Sequence, residues 1–133
     1  MGKFGIIVFS ATTDRMMSVG VLSQAAASLG EDVEIFVTFW GLLNFLKGEK
    51  KFSLPKEFEN FSPQLIKGIK EHNVKSWYEM IKEAKEMGTK VHACSLACDI
   101  FGLKKDDLDP IVDDIVGAAT FISNTENGRV IFI

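Results

Sequence analysis

Two cysteines, Cys94 and Cys98, are the residues of this chain best suited to covalent chemistry. Cys94 follows an apolar strand-like run, Thr89 to Ala93, and precedes a short helical run, Ser95 to Phe101, that Gly102 ends. A residue at that junction meets unpaired backbone N–H groups and the positive end of a helix dipole. Both favour an anion, whether a thiolate or the terminal sulfur of a persulfide. Position alone leaves open the alternative that Cys94 is a small buried apolar residue. Cys98 falls one turn further along the same helix face. It could resolve a sulfenic acid or persulfide on Cys94 by forming a disulfide, but this spacing in a regular helix puts the Cα atoms near the upper limit for bridging. Core packing is therefore the simpler reading of Cys98. His92, two positions before Cys94, reads as hydrogen-bonded structure rather than as its base. Asp99 would oppose a nearby thiolate and is expected to face outward.

Two further segments bear on the same place. Ser10, Thr12, Thr13 and Asp14 form a polar loop that enters a helix and could offer hydroxyls and N–H groups to an anionic sulfur species such as thiosulfate. An ordinary helix cap explains them equally well. The loop lacks the spaced glycines of a nucleotide site, so no cofactor is expected. Phe39, Trp40 and Gly41, with Leu43 beyond, could wall an apolar pocket that shields a persulfide from water, although aromatic residues after a strand are often core. Neither cysteine is flanked by the additional Cys or His of a structural zinc site, so no metal is expected.

The elements that must position these residues are legible as alternating strands and helices. Gly5 to Phe9 reads as a strand, and a helix follows from about Asp14 to Leu29 with Met17, Val21, Leu22, Ala25, Ala26 and Leu29 as its apolar face. Asp32 to Phe39 is a second strand. Lys47 to His72, charged and interrupted by Pro55 and Pro63, reads as an excursion from the core holding at most short helices. Val74 to Met87 is a helix with Trp77, Met80, Ile81 and Ala84 on one face, closed by Gly88. After the Cys94 strand and its helix, Lys104 to Ile115 reads as an acidic helical segment and Val116 to Ala119 as a short buried strand. A helical turn over Thr120 to Glu126, a turn at Asn127-Gly128 and a last strand, Arg129 to Ile133, complete the chain. This pattern predicts an α/β fold, a mostly parallel sheet of about five strands with helices on both faces. In such sheets ligands bind beyond the carboxyl ends of the strands, where Ser10 to Asp14, Phe39 to Gly41 and Cys94 would converge.

Bulk properties narrow the partners. The 133 residues are expected to form one domain, 1–133, with the variable excursion at about 47–72. With 47% hydrophobic and 25% charged residues the chain should fold rather than stay disordered. A formal net charge of -3, with the two signs mixed along the chain, gives no electrostatic footprint for nucleic acid. No apolar run is long enough to span a bilayer, so no stable membrane insertion is expected, and the first residues read as a strand rather than a signal peptide. The expected location is the cytoplasm, where a structural disulfide is disfavoured.

Three blocks carry a family resemblance: Thr38-Phe39-Trp40-Gly41-Leu42, Ala93-Cys94-Ser95-Leu96-Ala97-Cys98-Asp99-Ile100-Phe101-Gly102, and Val116-Gly117-Ala118-Ala119-Thr120-Phe121. In this order they resemble the DsrE/DsrF-like sulfurtransferase family, in particular the DsrE2/DsrE3 type often labelled peroxiredoxin-like. The resemblance runs from the first strand to about Phe121. It implies a flavodoxin-like sheet, a homo-oligomer, and a cysteine that accepts sulfane sulfur or thiosulfate and passes it to a TusA-like or rhodanese-like carrier protein. Cys94 matches the cysteine that binds sulfur in that family. Two departures stand out: Cys98 occupies a position where this type usually has Met, and the charged 47–72 segment replaces a stretch usually rich in Met and Gly.

Three functions follow as alternatives. A sulfur carrier or sulfurtransferase predicts a stable adduct on Cys94. A thiol redox protein using Cys94 and Cys98 predicts loss of both free thiols under mild peroxide. A non-catalytic ligand-binding or assembly module, in which both cysteines are buried, predicts slow alkylation of each in the native state.

Overall fold

The computed structural model describes residues 2–133. Its centre is a five-stranded, all-parallel sheet in the order β4-β3-β2-β1-β5, formed by β1 (Lys3–Val8), β2 (Asp32–Val37), β3 (Lys90–Cys94), β4 (Asp114–Val116) and β5 (Arg129–Phe132). The central strands are apolar on both sides, as a sheet covered on both faces requires. Val33, Ile35, Val37, Val91 and Ala93 fill one side, and Phe36, His92 and Cys94 lie on the other.

Connections sort the helices onto the two faces. α1 (Thr13–Ser28) and α4 (Trp77–Glu86) link β1 to β2 and β2 to β3, steps in one direction across the sheet. α6 (Ala118–Asn124) links β4 to β5, the opposite direction, so right-handed crossover puts it on the opposite face. Local packing agrees. The Gly20 backbone of α1 lies against Trp77 and Met80 of α4, whereas Phe121 of α6 stacks on Phe36 with ring centroids 5.0 Å apart. Gly5 makes that second layer possible: a Cβ there would lie 2.8 Å from Thr125 and 3.0 Å from Phe121. The α/β class and the parallel sheet are as the sequence predicts, and the strand order places the single reversal at β1.

Several local expectations need correction. In α1 the buried face is Met16, Val19, Gly20, Ser23, Ala26 and Ala27. Val21, Leu22, Ala25 and Leu29, expected on the apolar face, are exposed. Helix α1 is apolar on more than one side, so spacing alone did not select the face; the close approach of α4 at Gly20 did. The excursion holds a 3-10 turn, Lys56–Phe61, and a full ten-residue helix, α3 (Ser62–Glu71), with Pro63 in its first turn where a missing N–H costs nothing. Lys104 to Ile115 is not helical beyond the 3-10 turn Lys105–Asp107. Pro110 bars Asp109 from helical geometry, and the Asp109 carboxylate instead accepts the Ile111 N–H. Val116 to Ala119 is not a buried strand: β4 ends at Val116, Gly117 caps α6, and Ala118 and Ala119 are exposed helix residues.

Candidate functional site

Cys94 closes β3 and is at once the N-cap residue of α5 (Ser95–Phe101), with extended backbone at φ -70° and ψ 120°. The helix ends as the sequence indicates, at Gly102 in the left-handed region. Both thiols are free, and Cys94 is 7% exposed against 2% for Cys98. Burial, then the neighbouring Cys94 and Asp99, pushes the Cys98 thiol pKa up. Asp99 itself faces solvent. Cys98 packs into the core beside Ala97 and its carbonyl accepts the Leu103 N–H at 2.8 Å.

The aromatic block after β2 forms α2 (Phe39–Leu43). Gly41 is required there by packing: a Cβ would sit 2.4 Å from the Val8 carbonyl oxygen, and the Gly41 N–H donates to the Phe9 carbonyl at 2.9 Å. Drawing the chain this close to β1 forces Phe39 to φ 46°, a left-handed conformation costly for a non-glycine residue. A run of rings holds it in place. Phe132, Phe9, Phe39, Trp40 and Phe101 follow one another at centroid distances of 5.7, 5.4, 6.2 and 6.0 Å. They cross the carboxyl edge of the sheet from β5 to the end of α5, so Trp40 joins the β2 loop to the helix that Cys94 opens.

The Ser10 to Asp14 loop turns elsewhere. The Ser10 hydroxyl accepts from the Arg15 guanidinium at 2.8 Å and lies in a cavity of 590 Å³ toward β5, at the reversal of strand order. Thr13 pairs with Ser53, donating its N–H to the Ser53 carbonyl at 2.7 Å and accepting the Ser53 N–H on its hydroxyl at 2.8 Å. Asp14 is exposed at the rim of a cavity beneath the excursion. Thr12 caps α1 without a side-chain hydrogen bond, and its Oγ1 is buried without a partner. Among the described residues no hydrogen bond joins these four side chains to Cys94. The loops after β1 and β2 meet through Phe9, Gly41 and an Asn44 amide donating to the Ala11 carbonyl at 2.8 Å.

Two polar clusters lay outside the sequence-derived site. His92 Nδ1 meets Asp114 at 2.5 Å and Nε2 meets Glu34 at 2.8 Å, while Asn124 of α6 donates to the same Glu34 oxygen at 3.2 Å. Carboxylates on both ring nitrogens favour the imidazolium. The Glu34 hydrogen bond, against burial and with help from Asp114, raises the His92 pKa to about 9. His92 is thus structural, as its sequence position suggests. Glu34, an acid within an otherwise apolar strand, was the one available signal for its partner. The second cluster ties the excursion down. Lys50 pairs with buried Asp109 at 2.8 Å, and the Tyr78 hydroxyl donates to Asp109 at 2.6 Å. Burial and that bond push the Tyr78 pKa up to about 12.

A family model described as DsrE/DsrF/DrsH-like matches residues 2–67 and 55–133. A protein of Bacillus subtilis (strain 168), "Uncharacterized protein YrkE", is 31% identical over 150 aligned residues, covering 94% of this chain and 92% of that one. Two solved structures share the fold over the full length of both chains. The ychN protein from E. coli has a TM-score of 0.70 at 15% identity. A protein of unknown function, MTH1491, from Methanobacterium thermoautotrophicum has a TM-score of 0.65 at 14% identity.

Proposed function

The chain belongs to the DsrE/DsrF/DrsH-like family, and from that premise we propose that Cys94 accepts sulfane sulfur and relays it to the thiol of a partner protein. The carrying observation is the place of Cys94: the carboxyl end of a central parallel strand and the N-cap of the next helix. In the forward step the Cys94 thiolate attacks the outer sulfur of thiosulfate or a polysulfide. An S–S bond forms on Cys94, and sulfite or the shortened polysulfide leaves with the electron pair of the broken bond. In the second step a partner thiolate attacks the terminal sulfur and Cys94 leaves as thiolate, so sulfur moves without net oxidation.

The acceptor in this reading is a TusA-like or rhodanese-like carrier, and the setting is the cytoplasm, a reducing compartment in which the thiol stays available. No helix among the described residues is long and apolar enough to cross a membrane. The working form is a homo-oligomer. Leu96 and Ile100 on α5 and Ile122 on α6 are 61, 56 and 68% exposed, apolar side chains left at the surface of the two short helices that flank β4 in sequence.

Cys98 has the weaker claim to chemistry. Its burial and raised thiol pKa favour the carrier over a redox pair. The test is intact-protein mass spectrometry with peptide mapping after reduced protein meets polysulfide, tetrathionate or thiosulfate. A reducible adduct on Cys94 that persists in Cys98→Ser and vanishes in Cys94→Ser is the expected result. An adduct-free Cys94, or oxidation ending only in a Cys94–Cys98 disulfide, would overturn the proposal.

A further inference from the structure

The excursion leaves an open apolar groove against α1 that its own side chains do not fill. A cavity of 710 Å³ lies between α1 and the arch from Leu54 to Val74, walled by Met17, Leu54, Phe58, Phe61, Leu65 and Ile69. Neither the 3-10 turn nor α3 buries a single residue, and Phe58 and Phe61 are half exposed beside these apolar walls. An open apolar groove of this volume lies within the range of small-molecule sites. The arch is nevertheless anchored at its amino end. Ser53 is hydrogen-bonded to Thr13, and Lys50 is anchored on Asp109.

A second cleft of 420 Å³ adjoins the cavity and shares Met17, Ile69 and Val74 with it. Its lining is different in kind: Lys50, Lys51 and Lys75, together with Ser76 to Glu79, the amino end of the ten-residue helix α4. Lys50 is taken by Asp109 and Lys75 by Glu83, while exposed Lys51 has no ion pair among the described residues. The opposing acids are Asp14 at the apolar cavity and Glu79 in the cleft. The cleft lining sets three lysines against Glu79, whereas the cavity lining carries Asp14 and no cation, so a negative head group is better placed in the cleft. There Lys51 and the positive end of α4 face it.

We propose that this paired hollow binds one monomeric anionic amphiphile of the fatty carboxylate class, with its chain in the cavity and its carboxylate at Lys51. The site is independent of Cys94 and of the sulfur relay. A Trp40→Phe variant leaves Trp77, which lines the cleft, as the single tryptophan reporter. Dodecanoate carrying a nitroxide quencher near its carboxyl end, kept below its micelle concentration, should quench it saturably, and native mass spectrometry should show one equivalent bound. Lys51→Glu should weaken binding roughly tenfold, the loss of one charge-assisted contact. Gly68→Trp, read by native mass spectrometry because it adds a second tryptophan, should abolish it, since Gly68 lines the groove and has open space for a bulky side chain. Thermal melts should show both variants folded. Absence of quenching, equal affinity for dodecanol, indifference to Gly68→Trp, or binding only to anionic phospholipid vesicles would each overturn the proposal.

Discussion

Two thiols four residues apart on one short helix differ in what surrounds them, and the difference is measurable. Cys98 is the more buried and its pKa is raised, so less of it is thiolate at neutral pH. Native alkylation mapped by mass spectrometry should label Cys94 at least severalfold faster than Cys98; equal rates would remove the distinction. His92 provides a second test at this scale. Its folded pKa, about 9, lies above the unfolded value of about 6.5. Its contribution is therefore fully present below about pH 6.5 and is lost as the pH rises through about 9. The two carboxylate contacts are worth on the order of 2 to 3 kcal/mol, an upper bound because Asp114 is half exposed. Urea midpoints at about pH 6 and about pH 10 should differ more for the wild type than for His92→Gln, and identical differences would refute the role given to the imidazolium.

At the scale of elements, the loop after β2 is held by a glycine that leaves no room for a side chain. Gly41→Ala would place a Cβ against the Val8 backbone, which cannot swing aside as a side-chain tip would. We expect a loss of about 1 to 3 kcal/mol and a fall of several degrees in Tm by calorimetry. An unchanged Tm would mean that α2 sits less tightly on β1 than described. The sequence made this element visible through its Thr-Phe-Trp-Gly run but did not reveal why glycine stands there, because the obstructing carbonyl comes from a strand about thirty residues earlier. The same separation explains the misread face of α1, where Gly20 matters only because α4 packs on it. It explains the false helix at Lys104 to Ile115 as well: the acidic run is extended at Asp113 and Asp114 by pairing with β3, a tertiary event.

At the scale of the whole molecule, the exposed apolar residues of α5 and α6 bear on assembly. If Leu96, Ile100 and Ile122 are covered by another copy, Ile100→Glu and Ile122→Glu should each lower the mass measured by light scattering toward that of one chain. The fold should be retained, since neither side chain contributes to the core. A wild type that is already monomeric would exclude the homo-oligomer. The anchored arch over the apolar hollow is the other feature at this scale. It shows that the charged segment, an interruption in sequence terms, contributes a wall to the molecule.

The sequence by itself determined the alternation of strands and helices, the α/β class, the junction at Cys94 and the helix that Gly102 ends. Each is a local matter of side-chain period, capping and turn chemistry. It determined the family too, through three short blocks whose order survives in the fold. Only the tertiary structure decided the strand order, which face of α1 is buried, where the Ser10 to Asp14 side chains turn, and that Glu34 and Asp114 hold His92 between them. These depend on pairings across many residues, where the free energy of burial and charge contact is gained only after distant segments meet.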